Sequence, residues 1–112
     1  MASYGKIFCP VDFSEISRKA LLDAAELARR EEASLTLLHV REDPTGSGTP
    51  MEAENGDGLS ALEALRGEAE WIRGERVGAV VLNGPVAPSI SQFARDTGAD
   101  LIVMGSHGRT GI

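Results

Sequence analysis

An open, doubly wound α/β domain built on a parallel sheet is the fold class this sequence predicts. Three observations carry it. Short apolar runs alternate with helical patterns along the chain, the runs lack the polar alternation of a half-exposed sheet, and the connections are long enough to be crossover helices. A length of 112 residues suits one domain, and at that size folding buries roughly two thirds of the surface of the unfolded chain. With 42% hydrophobic and 25% charged residues the composition is globular and far from the signature of disorder.

The elements follow in order. Lys6 to Val11 (KIFCPV) is rich in strand formers and predicts a strand buried on both faces, ended by Asp12. Ser14 stands where an N-cap belongs, and Ile16, Ala20, Leu21, Ala24, Leu27 and Ala28 recur at helical spacing to about Glu32. Ser34 to Val40 (SLTLLHV) is a second apolar strand, so the helix between the two is a right-handed crossover. From Arg41 to Gly58 the chain turns polar and is broken by Pro44, Gly46, Gly48, Pro50 and Gly56, which predicts a mobile loop. Leu59, Leu62, Leu65, Ala69 and Ile72 mark one face of a second helix, with Gly67 weakening it and Trp71 on its flank. Val77 to Leu82 is a third strand, closed by an Asn83-Gly84-Pro85 turn. Pro88 is expected to open a third helix, with Ile90, Phe93 and Ala94 inward and Gly98 as its stop. Asp100 to Met104 (DLIVM) is the fourth strand, and a glycine-rich segment, Gly105 to Ile112, follows it.

Charge and cysteine content narrow the function classes. Seventeen acidic residues against eleven basic ones give a net charge of −6, which repels phosphate backbones and argues against both nucleic acid and anionic membrane surfaces as partners. The single cysteine, Cys9, excludes an intramolecular disulfide framework and any Cys-rich zinc site, as expected of a cytoplasmic protein. No apolar run approaches the ~20 residues of a membrane span. The start of the chain, Met1 to Lys6, lacks the pattern of a signal peptide.

In open parallel sheets ligands bind at the carboxyl ends of the strands, where strand order reverses. Three features converge there: Asp12 after strand one, Val40 at the end of strand two, and the GSHG turn, Gly105 to Gly108, after strand four. Closely spaced glycines let backbone N–H groups approach an anion, so the turn suits phosphate oxygens, with Ser106 and Arg109 as further donors. Each residue has a plainer reading beside this one. Asp12 suits a helix start, where a carboxylate is favourable, and the glycine-rich segment suits an ordinary flexible terminus. His107 has no nucleophile or second histidine at a spacing that defines a triad or metal site, so no catalytic residues are assigned. His39 reads as a strand-end histidine outside the site, and Cys9 as a small buried hydrophobe.

At these residues the chain resembles the universal stress protein family. KIFCPVDFSEISRKAL, LTLLHV, the Gly84-Pro85 turn with its following helix, and above all ADLIVMGSHGRTG carry the likeness, which runs from Lys6 to Gly111. The resemblance implies a flavodoxin-like, adenine-nucleotide-binding α/β fold with strand order 3-2-1-4-5. In one branch of the family it also implies an ATP site. Carried over by position, Asp12 and the backbone near Pro10 and Val11 meet ribose and adenine. Val40 contacts adenine through its backbone, and Gly105 and Gly108 cradle phosphates beside Ser106 and Arg109. Magnesium or manganese would arrive with the nucleotide, since no carboxylate cluster defines a metal site.

The ATP-binding branch continues past the second glycine to a Gly-Ser or Gly-Thr that also holds phosphate. This sequence is therefore expected to be a single domain of the family, residues 1–112, incomplete at its C-terminal end. The order becomes 3-2-1-4 without the fifth strand, and Leu101 to Met104 is left as an uncovered apolar edge. The resemblance further implies a homodimer in the complete protein. The function expected is nucleotide-linked regulation or sensing in the stress response, at most with slow ATP turnover. The alternative is a module of the same family that binds a protein partner or itself and uses no nucleotide.

Overall fold

The computed structural model describes residues 5–42 and 57–105, and the side chains of residues 57–59 lie outside that description. Its elements alternate as the sequence predicts: β1 (Lys6–Pro10), α1 (Glu15–Glu31), β2 (Ser34–Arg41), α2 (Asp57–Arg73), β3 (Gly78–Asn83), α3 (Val86–Thr97) and β4 (Leu101–Ile102). All strand pairs are parallel, in the order β3-β2-β1-β4. The polar stretch between β2 and α2, residues 43–56, lies outside the described residues, as do the loop expectations placed on it.

Strand alternation divides the core in two. Ile7, Cys9, Leu35 and Leu37 point to the face covered by α1 and α2, while Phe8 and Leu38 point to the face covered by α3. On the first face the alanines Ala24, Ala25 and Ala28 are fully buried, so their small side chains let α1 lie close to the sheet. On the second, Phe8 and Phe93 stack with ring centroids 5.5 Å apart. Burial pushes the Cys9 thiol up to about 12, so it stays protonated at neutral pH, as a small hydrophobe should.

Helix ends follow local chemistry. Ser14 caps α1, its hydroxyl accepting the Ser17 N–H at 3.1 Å. Gly98, with φ 76°, closes α3 in the left-handed conformation that glycine adopts without cost. Several boundaries differ from expectation. Pro85 stands at the N-cap of α3 and Pro88 is its third residue, a position equally free of proline's penalty because the first-turn N–H groups have no intrahelical partner. β3 runs one residue later than Val77 to Leu82. The regular part of β4 is two residues, bracketed by hydrogen bonds from the Asp100 N–H to the Lys6 carbonyl and from the Val103 N–H to the Phe8 carbonyl, each 2.9 Å. Trp71 lies on the flank of α2, as expected, and is 87% exposed.

The short β4 is held by more than its ladder. The Asp100 carboxylate accepts the N–H groups of Gly5 and Lys6, both at 2.8 Å, and the Lys6 ammonium donates to the Thr97 carbonyl at 2.7 Å. Hydrogen bonds from Lys6 and Gly5 hold the Asp100 carboxyl below its ordinary range, aided by the Lys6 charge. A carboxyl depressed in the folded chain stabilises it above the unfolded value, about 3.9, and loses that contribution as pH falls through the folded value. Asp100→Ala is therefore expected to lower the urea midpoint at pH 7, with the gap to the parent closing as pH falls below the ordinary carboxylate range. An equal gap at pH 7 and below that range would assign the effect to something other than the carboxylate.

Candidate functional site

β1 leaves the sheet after Pro10, while β2 continues to Arg41. The unequal ends open a cleft of about 240 Å³ over the carboxyl edge of the sheet. Pro10, Val11, Asp12, Val40 and Gly105 all line it, so five of the eight site residues expected from sequence come together. Ser106, Gly108 and Arg109 lie outside the described residues, as does His107. The strand ends differ slightly from expectation: Asp12 stands two residues past β1, and Val40 is one residue short of the end of β2.

The register decides what Val40 presents. In a parallel ladder, successive residues direct their backbone groups to opposite neighbours. The Gly84 N–H donates to the Arg41 carbonyl at 3.0 Å, so Arg41 faces β3 and, by alternation, so does His39. The Val11 N–H donates to the Leu38 carbonyl at 2.8 Å, so Leu38 and Val40 face β1. Beyond Leu38 there is no β1 to face. The N–H and C=O of Val40 open on the cleft, one donor and one acceptor on the same short stretch of backbone.

Asp12 and α1 form the next wall. Asp12 Oδ1 accepts the Ser14 N–H at 2.9 Å, a local turn that directs the chain into the helix, and the residue remains exposed at the rim. The helix-start reading of Asp12 is thus realised. Behind it, Ser17 is 6% exposed, its hydroxyl donating to the Ser14 carbonyl and accepting the Asp12 N–H, both at 3.2 Å. Sequence reasoning missed Ser17, although its place three residues after an N-cap serine was a usable signal. It also set Ile16 inward; the structure leaves Ile16 39% exposed, because the first turn of α1 overhangs the sheet end and the side chain walls the cleft.

Gly105 closes the opposite side. A Cβ built on it would stand 2.6 Å from Ile16 Cγ2 and 2.9 Å from the Ile16 carbonyl oxygen, so only glycine fits where the chain after β4 passes α1. Leu38 and Ile90 make the apolar floor, with Val86 and Met104 at the edges. Val86 is the first residue of α3, so the positive, N-terminal end of that helix stands beside the cleft. The arrangement can hold a flat apolar ring against Leu38 and Val40, pair it with backbone groups, and meet polar substituents at Asp12 and Gly105. Among the described residues no group of histidine, cysteine or carboxylate side chains could hold a metal ion. No described helix is long and apolar enough to cross a membrane.

Known proteins share this architecture. A universal stress protein of Methanocaldococcus jannaschii is 32% identical over 118 aligned positions, which span 97% of this chain and 68% of that protein. Among solved structures, a universal stress protein in complex with cAMP superposes with a TM-score of 0.78 at 18% identity, covering 97% of this chain and 78% of the other. A universal stress protein family protein from Arabidopsis thaliana with AMP bound superposes at 0.67 with 22% identity, covering 93% and 77%. The pattern that describes the universal stress protein family matches residues 3–112. With that match running through every strand and helix around the cleft, the chain belongs to the universal stress protein family.

Proposed function

We propose that the chain binds an adenine nucleotide, ATP, in this cleft and serves as a nucleotide-linked regulator or sensor in the stress response. The observation that carries the reading is the Val40 backbone, a donor and an acceptor left facing an apolar cleft by the early departure of β1. An adenine ring has that pairing along one edge. The cleft, about 240 Å³, falls just under the ~300–1,000 Å³ of complete small-molecule sites, a size for the base with ribose and phosphates running outward. Asp12 stands exposed at the rim, where its carboxylate is placed to accept from a ribose hydroxyl.

Phosphates would lie over Gly105 and the segment that continues through Ser106, Gly108 and Arg109, beside the N-terminal turn of α3. Any magnesium or manganese is carried by the nucleotide. Bound cAMP and AMP in two proteins of the same fold support the ligand class. A homodimer in the cytoplasm is the setting proposed for the site.

Calorimetric titration of Mg-ATP into the native chain tests the reading. Saturable one-site binding is expected, and Asp12→Ala should raise Kd by about tenfold, the loss of a charge-assisted hydrogen bond. Dideoxy-ATP, which lacks the ribose hydroxyls, should bind parent and variant alike. Absence of saturable binding by the folded parent would overturn the nucleotide reading in favour of a protein-interaction module.

A further inference from the structure

Beside the cleft, on the sheet face covered by α1 and α2, a histidine does work that the strand pairing leaves undone. His39 Nδ1 lies 3.1 Å from the Val11 carbonyl oxygen, and its ring stacks on Phe13 with centroids 4.5 Å apart and planes inclined by 47°. Phe13 takes φ 67°, a left-handed conformation rare for a bulky side chain, at the point where the chain turns from the sheet into α1. A carbonyl only accepts, so the Nδ1 position carries the proton and donates.

The register gives this bond its meaning. Pro10 is opposite Leu38, and the Val11 N–H donates to the Leu38 carbonyl, so the next rung of a parallel ladder would be the Val40 N–H to the Val11 carbonyl. That rung would consume the donor on which the cleft depends. The acceptor it needs is instead engaged by the His39 side chain, and Phe13 braces the ring from above. We infer that His39 is a positioning residue of the adenine site: by donating to the Val11 carbonyl it ends the β1–β2 ladder one rung early and holds the Val40 N–H open to ligand. It touches no nucleotide itself. The inference rests on the adenine reading for its functional consequence, whereas its effect on the Val40 amide is independent of any ligand.

Nuclear magnetic resonance on the 15N-labelled chain, with AMP titration, tests both parts. In the parent the His39 ring is expected as the Nδ1–H tautomer and the Val40 amide as exchange-open. His39→Leu should raise protection of the Val40 amide at least tenfold as the missing rung closes, and raise Kd for AMP at least tenfold. His39→Asn, which restores a short N–H donor, should return both to within threefold of the parent. A merely structural role would lower stability without closing the Val40 amide and without rescue by asparagine. Unchanged Val40 exchange in His39→Leu overturns the inference whether or not AMP binds. If AMP fails to bind the parent while Val40 exchange responds to His39, the adenine reading falls and the control of Val40 stands. Should His39→Leu not fold, the parent's tautomer decides, since an Nε2–H ring leaves Nδ1 without a proton to donate.

Discussion

Gly105→Ala is expected to weaken ATP binding at least tenfold and to destabilise the fold by about 1–3 kcal/mol. The new methyl group would stand 2.6 Å from Ile16 Cγ2 and 2.9 Å from the Ile16 carbonyl oxygen. Neither neighbour yields readily. Ile16 is β-branched, with a stiff first torsion, and its carbonyl belongs to the first turn of α1, which is fixed by the Ser14 cap and the Ser17 hydroxyl. The chain after β4 must therefore move away from α1, and the cleft beside it loses its shape. Ile16→Ala in the same chain removes the Cγ2 contact but leaves the carbonyl, so the double variant should regain part of the stability and little of the affinity. Thermal unfolding with calorimetric titration separates the two. A Gly105→Ala chain with the parent's melting temperature and affinity would show that the end of β4 is free to shift.

The second large effect is a contrast between neighbours. Leu37→Ala and Leu38→Ala delete the same atoms from adjacent, fully buried positions of β2, but on opposite faces of the sheet. Leu37 is enclosed by the sheet, α1 and α2, among residues with no exposure, so little can move in to fill the space. Leu38 forms the floor of the cleft, where solvent reaches the void. Leucine-to-alanine changes in cores cost about 2–5 kcal/mol, with the spread set by how far the site can collapse. Leu37→Ala is expected near the top of that range and Leu38→Ala near the bottom. Against a typical total of about 5–15 kcal/mol, the former brings the chain close to unfolding at physiological temperature. Affinity should invert the order, because Leu38 lies under the proposed base and Leu37 does not. Urea unfolding and nucleotide titration of both variants check this, and equal destabilisation by the two would remove the distinction between a sealed and an open face.

Much of this was legible in the residues. Uninterrupted apolar runs such as LTLLHV can be satisfied only by a strand covered on both faces, and helical spacing between them leaves a parallel crossover as the simplest connection. Asp12, Val40 and Gly105 were legible for the same reason: in such a sheet the ends of the strands share one edge. Ile16 was misplaced because periodicity defines the apolar stripe of a helix but not how far the stripe extends past the sheet. Pro88 was misplaced because proline is acceptable at several first-turn positions, and sequence spacing alone does not choose among them. His39 was set outside the site because no local pattern joins it to Val11, 28 residues earlier.

By itself, the sequence determined the alternation of elements, the parallel sheet, the burial of Cys9 and the sheet edge at which Asp12, Val40 and Gly105 meet, since each follows from local propensity and from the cost of exposing apolar side chains. Only the tertiary structure decided that β1 ends before β2, that Val40 consequently turns a donor and an acceptor toward the cleft, and that His39 engages the carbonyl which would otherwise close it. Those outcomes depend on register between strands far apart in the chain, and register is fixed by the joint burial of both sheet faces rather than by any residue's neighbours in sequence.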